Sequence, residues 1–224
     1  GGYALTDNTT GTQNVAIGYG SLANNTTANE NTALGFETLT ANTTGSQNVA
    51  VGLKAMQDNN VGVRNTAVGN RALQHAIDSG SGTPNDNTAI GSNALNDVTM
   101  GYQNTAIGSY AGDNLTTGHS NVYVGDNAGN THATGSGCVF VGRANNCSTN
   151  SVSHEIVIGA SLQGKRTETA FIGGTSGTFN EENVTTFQTT SDQRIKKNIV
   201  NYDTGLSIIN QLQVKNYEYK TEDE

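Results

Sequence analysis

The stretch Asn87-Thr88-Ala89-Ile90-Gly91 and its copy Asn104-Thr105-Ala106-Ile107-Gly108 decide the fold of this chain. The motif Asn-x-Ala-[Ile/Leu/Val]-Gly recurs at a spacing of 17 residues, with one gap of 22 residues. Repetition at a fixed period is typical of a solenoid, in which each repeat forms one coil. The motif begins at Asn14, Asn31, Asn48, Asn65, Asn87 and Asn104, and it returns at Asn121 with Tyr in place of Ala.

The long gap holds five extra residues between Asn65 and Asn87. They fall in a Gly/Ser/Pro stretch at residues 78–86, which we expect to form a loop that leaves the next coil in register. The same frame continues at residues 138–142 and 155–159, and a shorter step of 14 residues leads to 169–173. The sequence therefore predicts about ten coils of one structural unit.

Each coil divides into two apolar elements of different character. The three residues after the motif Asn are β-branched around a central Ala, which favours a short strand. Gly follows where the backbone needs a positive φ or a close approach. A second apolar pair, such as Ala94-Leu95, predicts a second short strand. Two strands and two turns per coil favour a parallel β-roll, with the Asn column either stacked as a ladder of amides or capping the turns.

The composition limits both the fold and the partners. The chain has 224 residues, of which 33% are hydrophobic, with 28 Gly and no Trp. A large globular core is not expected, whereas a solenoid buries each coil on its neighbours. The net charge of -8 argues against a nucleic-acid partner, because phosphates would be repelled. No apolar stretch approaches the length of a membrane-spanning helix, so we expect no membrane insertion.

The central residue of the strand changes along the chain. It is Ala in the first six repeats and becomes Tyr123, Phe140, Val157 and Phe171 in the later ones. We interpret the Ala stripe as the surface on which three chains pack around one axis, and we predict a homotrimer. A monomeric left-handed β-helix is the alternative. The aromatic residues mark either a wider cross-section or a distal module.

These patterns divide the chain into three parts. Residues 1–120 are predicted to form regular β-roll coils, and residues 121–190 the distal coils and tip. Residues 191–224 are richer in charge and are predicted to form a short mixed α/β segment, with a helix at 202–212.

The repeats of residues 14–173 resemble the head repeats of trimeric autotransporter adhesins and the β-roll segments of phage tail fibres. This resemblance implies an all-β, trimeric rod. It leaves two locations open, a virion tail fibre and the surface of a bacterial cell.

The end of the chain carries a second set of motifs. They are Thr190-Ser191-Asp192-Gln193-Arg194-Ile195-Lys196-Lys197-Asn198-Ile199, Tyr202-Asp203-x-Gly205-Leu206 and Leu212-x-Val214-x-x-Tyr217-x-Tyr219-Lys220. They resemble the opening of the endosialidase-type intramolecular chaperone of phage tail spikes and fibres. The resemblance implies assistance with trimer assembly and then self-cleavage, with Ser191 as nucleophile and Lys196 as its base. A desolvated Lys can lose its proton and serve a Ser hydroxyl in this way.

The main functional hypothesis is therefore the receptor-binding distal part of a phage tail fibre. The head of a bacterial trimeric surface adhesin is the second hypothesis. A polysaccharide-depolymerising tailspike is the third, but its chemistry needs convergent carboxylates, and the acidic residues show no repeated pairing. Apart from self-cleavage, no enzymatic activity is expected.

Binding to a host cell-surface glycan or protein receptor is expected from loops and distal coils rather than from repeated strands. The candidate contacts are Tyr110, Tyr123, Phe140, Arg143 and the loop at residues 78–86.

Histidine and cysteine give further candidates. In a trimer, one residue facing the axis supplies three ligands, so His119 and His132 are candidates for a metal ion on that axis. No other cofactor is expected. Cys138 and Cys147 are nine residues apart, about half a coil, and both a disulfide and two free thiols remain open.

Overall fold

The computed structural model describes residues 1–77 and 83–173, and the backbone of residues 178–180 and 188–189. This part of the chain is all-β and contains no helix. Its strands form one twelve-stranded sheet in sequence order. The strands are β1 (Val15–Ile17), β2 (Thr32–Leu34), β3 (Val49–Val51), β4 (Thr66–Val68), β5 (Thr88–Ile90), β6 (Thr105–Ile107), β7 (Val122–Val124), β8 (Val139–Val141), β9 (Ile156–Gly159), β10 (Ala170–Gly173), β11 (Thr178–Asn180) and β12 (Gln188–Thr189).

The first ten strands pair in parallel, each with the strand one coil away, and form a β-solenoid of roughly nine turns. The strands stack motif on motif, so that Ala89 lies opposite Ala106. The 22-residue gap does not disturb this register, because Ala67 lies opposite Ala89. The predicted parallel solenoid and its unshifted register are therefore confirmed. The predicted mixed α/β segment at 191–224 lies outside the described residues.

The central Ala of each strand points into the coil. Five of these residues are completely buried within a single chain: Ala33, Ala50, Ala67, Ala89 and Ala106. Because side chains alternate between the two faces of a strand, the residues on either side of each Ala point outward. The interpretation of the Ala stripe as the surface between chains is therefore wrong, since that stripe lines the interior of each coil.

The second apolar element of each coil is not a strand, contrary to prediction. Its Leu or Met has a left-handed backbone, with φ of 51° at Leu22 and 50° at Leu95. The main-chain N–H of Leu22 donates to the carbonyl oxygen of Thr38 in the next coil at 3.0 Å. Left-handed backbone is costly for these residues, at roughly 1–2 kcal/mol each. Complete burial of the side chain, worth about 1.5–3 kcal/mol, offsets this cost.

The change from Ala to aromatic residues in the strand is compensated inside the coil by a smaller residue at the Leu position. The Leu of the second element is replaced by Gly129 in the coil of Tyr123 and by Gly112 in the coil before it. A Cβ atom at Gly129 would lie 2.4 Å from the Tyr123 ring, and one at Gly112 would lie 2.8 Å from it. The Tyr123 ring therefore occupies space that Leu fills in the earlier coils. Neither a wider cross-section nor a separate module is needed to explain these aromatic residues.

The motif Asn residues form a continuous ladder. The main-chain N–H of each Asn donates to the side-chain oxygen of the Asn one coil before it, at 2.9–3.0 Å from Asn31 to Asn121. The side-chain NH₂ group donates to a carbonyl oxygen in the closing turn, as from Asn104 to Gly118 at 2.9 Å. The Asn column thus both stacks as amides and caps the turns, so the two expected roles are combined in one residue.

The strand-ending Gly allows neighbouring coils to approach closely. Gly91 has a φ of 140°, and a Cβ atom built on it would lie 2.3 Å from the carbonyl oxygen of Gly108. This position therefore excludes every other residue, which confirms the expected role of Gly.

Replacing Asn104 with Ala tests the ladder. The change leaves the N–H of Asn121 and the carbonyl oxygen of Gly118 without their partners, and both groups are buried. Each orphaned group costs about 1–3 kcal/mol, so the free energy of unfolding should fall by about 2–5 kcal/mol. Chemical denaturation followed by circular dichroism measures this. The exposed neighbour Gln103→Ala is the control, and an equal loss in both variants would contradict the role of the ladder.

Candidate functional site

Two of the predicted receptor contacts are interior residues. Tyr123 and Phe140 are completely buried and stack on each other, with ring centroids 5.6 Å apart and planes at 4°. They cannot touch a receptor without unfolding their coils. Their assignment as binding residues is therefore wrong, because the strand position that is filled by Ala elsewhere faces inward.

His132 is also completely buried, and both of its ring nitrogens have partners. Nε2 lies 2.8 Å from the carbonyl oxygen of Val152, and Nδ1 lies 2.6 Å from the hydroxyl of Tyr123. A carbonyl only accepts, so Nε2 carries the proton, and Nδ1 accepts the hydroxyl proton of Tyr123. The arrangement occupies both nitrogens and leaves neither free for a metal ion on an external axis.

Burial controls the ionisation of the interior cluster formed by Tyr123, His132 and Cys138. It lowers the pKa of His132, although the hydrogen bond to Val152 opposes this effect. It raises the pKa of Tyr123, with smaller contributions from the two thiols. Burial also raises the pKa of Cys138 to about 11. The cluster is therefore neutral at physiological pH and stabilises the distal coils as a packed, hydrogen-bonded unit.

Cys138 and Cys147 are buried free thiols, which is one of the two states that the sequence left open. The Sγ atom of Cys147 lies 3.1 Å from the hydroxyl oxygen of Thr131. Cys138 occupies the ladder position after Asn121, and its sulfur accepts the N–H of Glu155 at 3.4 Å. The ladder thus continues through sulfur for one coil.

The remaining predicted residues are accessible but are not brought together. Tyr110 is 42% exposed, and Arg143 is exposed in a different coil. His119 is partly exposed and stacks on Tyr102, with ring centroids 4.6 Å apart. Residues 78–82 of the expected binding loop lie outside the described residues, as do Ser191 and Lys196.

No metal centre is visible in the part of the chain that the structure describes. No group of three or more His, Cys, Asp or Glu residues lies within reach of one ion there. Nor does any helix among these residues have the length and apolar character to cross a bilayer.

A surface pocket lies at the first coils, and sequence analysis did not identify it. It has a volume of about 280 Å³. Its lining consists of Tyr3, Thr6, Asp7, Tyr19, Gly20, Ala23, Asn24, Glu37 and Thr40. The rings of Tyr3 and Tyr19 meet at 75° with centroids 5.4 Å apart, and they form one corner of the pocket. The missed signal is the run of aromatic residues at the same turn of successive coils, Tyr19 and Phe36.

The outer face of the parallel sheet is a second accessible feature. The residues before and after the central strand position are apolar or Thr, and they point outward from β1 to β10. The large apolar side chains that are at least 36% exposed on this face are Val15, Ile17, Leu34, Val49, Val68, Ile90, Ile107, Ile156 and Ile172. This column of exposed apolar residues, which we call the sheet face, runs along the solenoid.

Comparison with known families identifies one segment of the chain. Residues 191–224 match the family described as chaperone of endosialidase. The match confirms the resemblance predicted from the motifs that begin at Ser191, and the first structural unit of the chain ends one residue earlier, at Thr190. No curated protein and no solved structure matches the chain.

The buried His132 predicts a loss of stability in acid. Its pKa in the folded chain is below the unfolded value of about 6.5, so the unfolded state binds more protons as the pH falls below 6.5. Its contribution to stability is therefore present above pH 6.5 and is lost on acidification. His132→Leu, which copies Leu115 at the equivalent position one coil earlier, should remove this contribution.

The measurement is the free energy of unfolding of the wild type and of His132→Leu between pH 5 and 7.5. The contribution of Asp113 to stability depends on pH in the opposite direction. Burial and the charge of Asp97 raise its pKa to about 6, so this contribution increases as the pH falls below that value. Both proteins contain Asp113, so its effect cancels in the difference between them. A difference that is independent of pH would contradict the role of His132.

Proposed function

We propose that this chain is a rod-forming distal module of a phage tail fibre, which assembles as a homotrimer and mediates attachment to a host cell. Its place is then on the outside of the virion. The match of residues 191–224 to the chaperone of endosialidase is the observation that carries the proposal. The all-β solenoid supports it, because a stack of coils provides length and rigidity without a globular core.

The sheet face supports assembly from several copies of the chain. Its exposed apolar side chains recur along the solenoid in a protein of which only 33% of the residues are hydrophobic. Large contiguous apolar patches on soluble proteins mark interaction surfaces. Because the column has the length of the solenoid, a partner of the same length and shape covers it best, and another copy of this chain meets that requirement. Three copies around one axis bury all three sheet faces together.

A substitution at Ile107 tests the proposed homotrimer. The Ile107 side chain is 42% exposed at the centre of the sheet face, so Ile107→Lys should place three charges between the chains while leaving each coil unchanged. We expect light scattering to report about three times the 23.3 kDa chain mass for the wild type and a lower mass for this variant.

Thr134→Lys is the matched control, because Thr134 is exposed on the closing turn, away from the sheet. It should keep the wild-type mass. A wild-type mass equal to one chain would contradict the homotrimer whatever the variants do.

Self-cleavage is the second part of the proposal. The segment that matches the chaperone begins at Ser191, where the Ser hydroxyl is the nucleophile and Lys196 is the base that accepts its proton. The Ser191 oxygen attacks the carbonyl carbon of Thr190 and forms an ester, while the Thr190–Ser191 amide bond breaks and its nitrogen takes up the proton held by Lys196. Water then hydrolyses the ester, which releases the chaperone and leaves the assembled rod. Apart from this single turnover, we propose no enzymatic activity.

Expression of the complete open reading frame tests cleavage. Mass spectrometry should detect a product that ends near Thr190 for the wild type, and uncleaved chain for Ser191→Ala and Lys196→Ala. Ser176→Ala is the control, since it removes a nearby serine outside the match and should be cleaved normally. The same product in Ser191→Ala would overturn the assignment.

A further inference from the structure

We infer that the pocket at the first coils is a binding site for a neutral saccharide. The inference rests on the proposed attachment function for its biological role, and it names the chemical class of ligand. The site combines two exposed aromatic rings with polar side chains in one concavity of about 280 Å³. That volume is close to the lower end of the range found for small-molecule sites.

The aromatic corner provides the surface on which a sugar ring packs. Tyr3 is 66% exposed and Tyr19 is 49% exposed. Because Phe36 stacks on Tyr19, the Tyr3 ring offers the more open surface to a ligand. A pyranose has one face of C–H groups, which packs on an aromatic ring, and an edge of hydroxyl groups, which needs hydrogen bonds. Tyr side chains meet both needs, because a flat apolar ring ends in a hydroxyl group.

The lining also provides hydrogen-bonding groups that the fold itself does not use. The side chains of Asp7 and Asn24 have no hydrogen-bond partner among the described residues, although both line the pocket. A carboxylate accepts hydrogen bonds from two hydroxyl groups, and an amide both donates and accepts. These two side chains therefore match the hydroxyl edge of a sugar that packs on the Tyr corner.

The charges of the pocket favour a neutral ligand over an anionic one. The two ionisable carboxylates of the lining are Asp7 and Glu37, which disfavour a sialic or uronic acid. Glu37 is already engaged, because its Oε2 atom lies 3.5 Å from the ammonium of Lys54 and accepts a hydrogen bond from Gln57 at 2.8 Å. Lys54 compensates the charge of Glu37 without lining the pocket, which leaves Asp7 as the carboxylate beside the aromatic rings, so an organic cation is the competing ligand that the experiment must distinguish.

The pocket and the sheet face have no residue in common. The lining residues lie before β1 or on the turns that follow β1 and β2, and none belongs to a strand. Trimer assembly through the sheet face therefore does not use the groups that bind the saccharide.

The test is titration of the full chain with neutral disaccharides, namely lactose, maltose, cellobiose and chitobiose, followed by calorimetry and saturation-transfer NMR. Sialyllactose and choline are the anionic and cationic probes. At least one neutral disaccharide should bind at millimolar concentration or below, whereas neither charged probe should bind. Binding of choline or sialyllactose in preference to every neutral sugar would overturn the inference, as would the absence of binding by all four neutral sugars at 10 mM, roughly ten times the weakest affinity expected.

Two variants locate the site. Tyr19→Ala removes a lining ring and should weaken binding about tenfold, and Asp7→Ala should weaken it through loss of hydrogen bonds. Leu53→Ala is the matched control, because Leu53 is 41% exposed at the position equivalent to Tyr19 two coils further on and does not line the pocket. The affinity of this variant should stay within about twofold of the wild type. Equal losses in Tyr19→Ala and Leu53→Ala, with Asp7→Ala unchanged, would place binding elsewhere.

Failure of this inference is distinguishable from failure of the proposed function. If the chain is trimeric but binds no neutral sugar, the proposed saccharide site is wrong and the proposed rod-forming module stands. If the chain binds a neutral sugar but has the mass of one subunit, the proposed homotrimer is wrong and the saccharide site stands.

Discussion

The hydrogen bond from one main-chain N–H to the side-chain oxygen of the Asn one coil earlier is the constraint on which the solenoid depends. It fixes the distance between coils at the entrance to each strand, where the parallel sheet begins. The same amide donates to the closing turn, so one side chain connects the strand, the turn and the next coil. Any residue without both a donor and an acceptor breaks one of these connections.

A narrow interior follows from this regular stacking. The inward strand position packs against the inward residues of the second apolar element, so the volumes of these positions must be complementary. In the early coils the pair is Ala with Leu or Met, and around Tyr123 it becomes an aromatic residue with Gly. The exchange preserves packing and introduces a hydroxyl group into the interior. His132 satisfies that hydroxyl, since an unpaired one would be costly to bury.

Sequence repetition predicted the parallel solenoid, its register and the Asn ladder, because each depends on spacing and on the chemistry of a single residue type. It did not predict which strand residue faces inward, since Ala suits both a tight interior and a close approach between chains. Nor did it predict the left-handed Leu, because φ in that residue is imposed by the coil rather than by local preference. The pocket was missed because Tyr3, Asp7 and Asn24 come together only when coils stack.

The sheet changes direction after its last parallel strand. A parallel sheet can accept another strand at its edge, which invites unwanted association unless the edge is covered. Here β11 pairs antiparallel with β10, and β12 pairs antiparallel with β11, so antiparallel strands cover the edge that β10 would otherwise present. The turns between strands are under fewer constraints, because the ladder fixes only the entrance to each strand. The aromatic pocket lies on such turns.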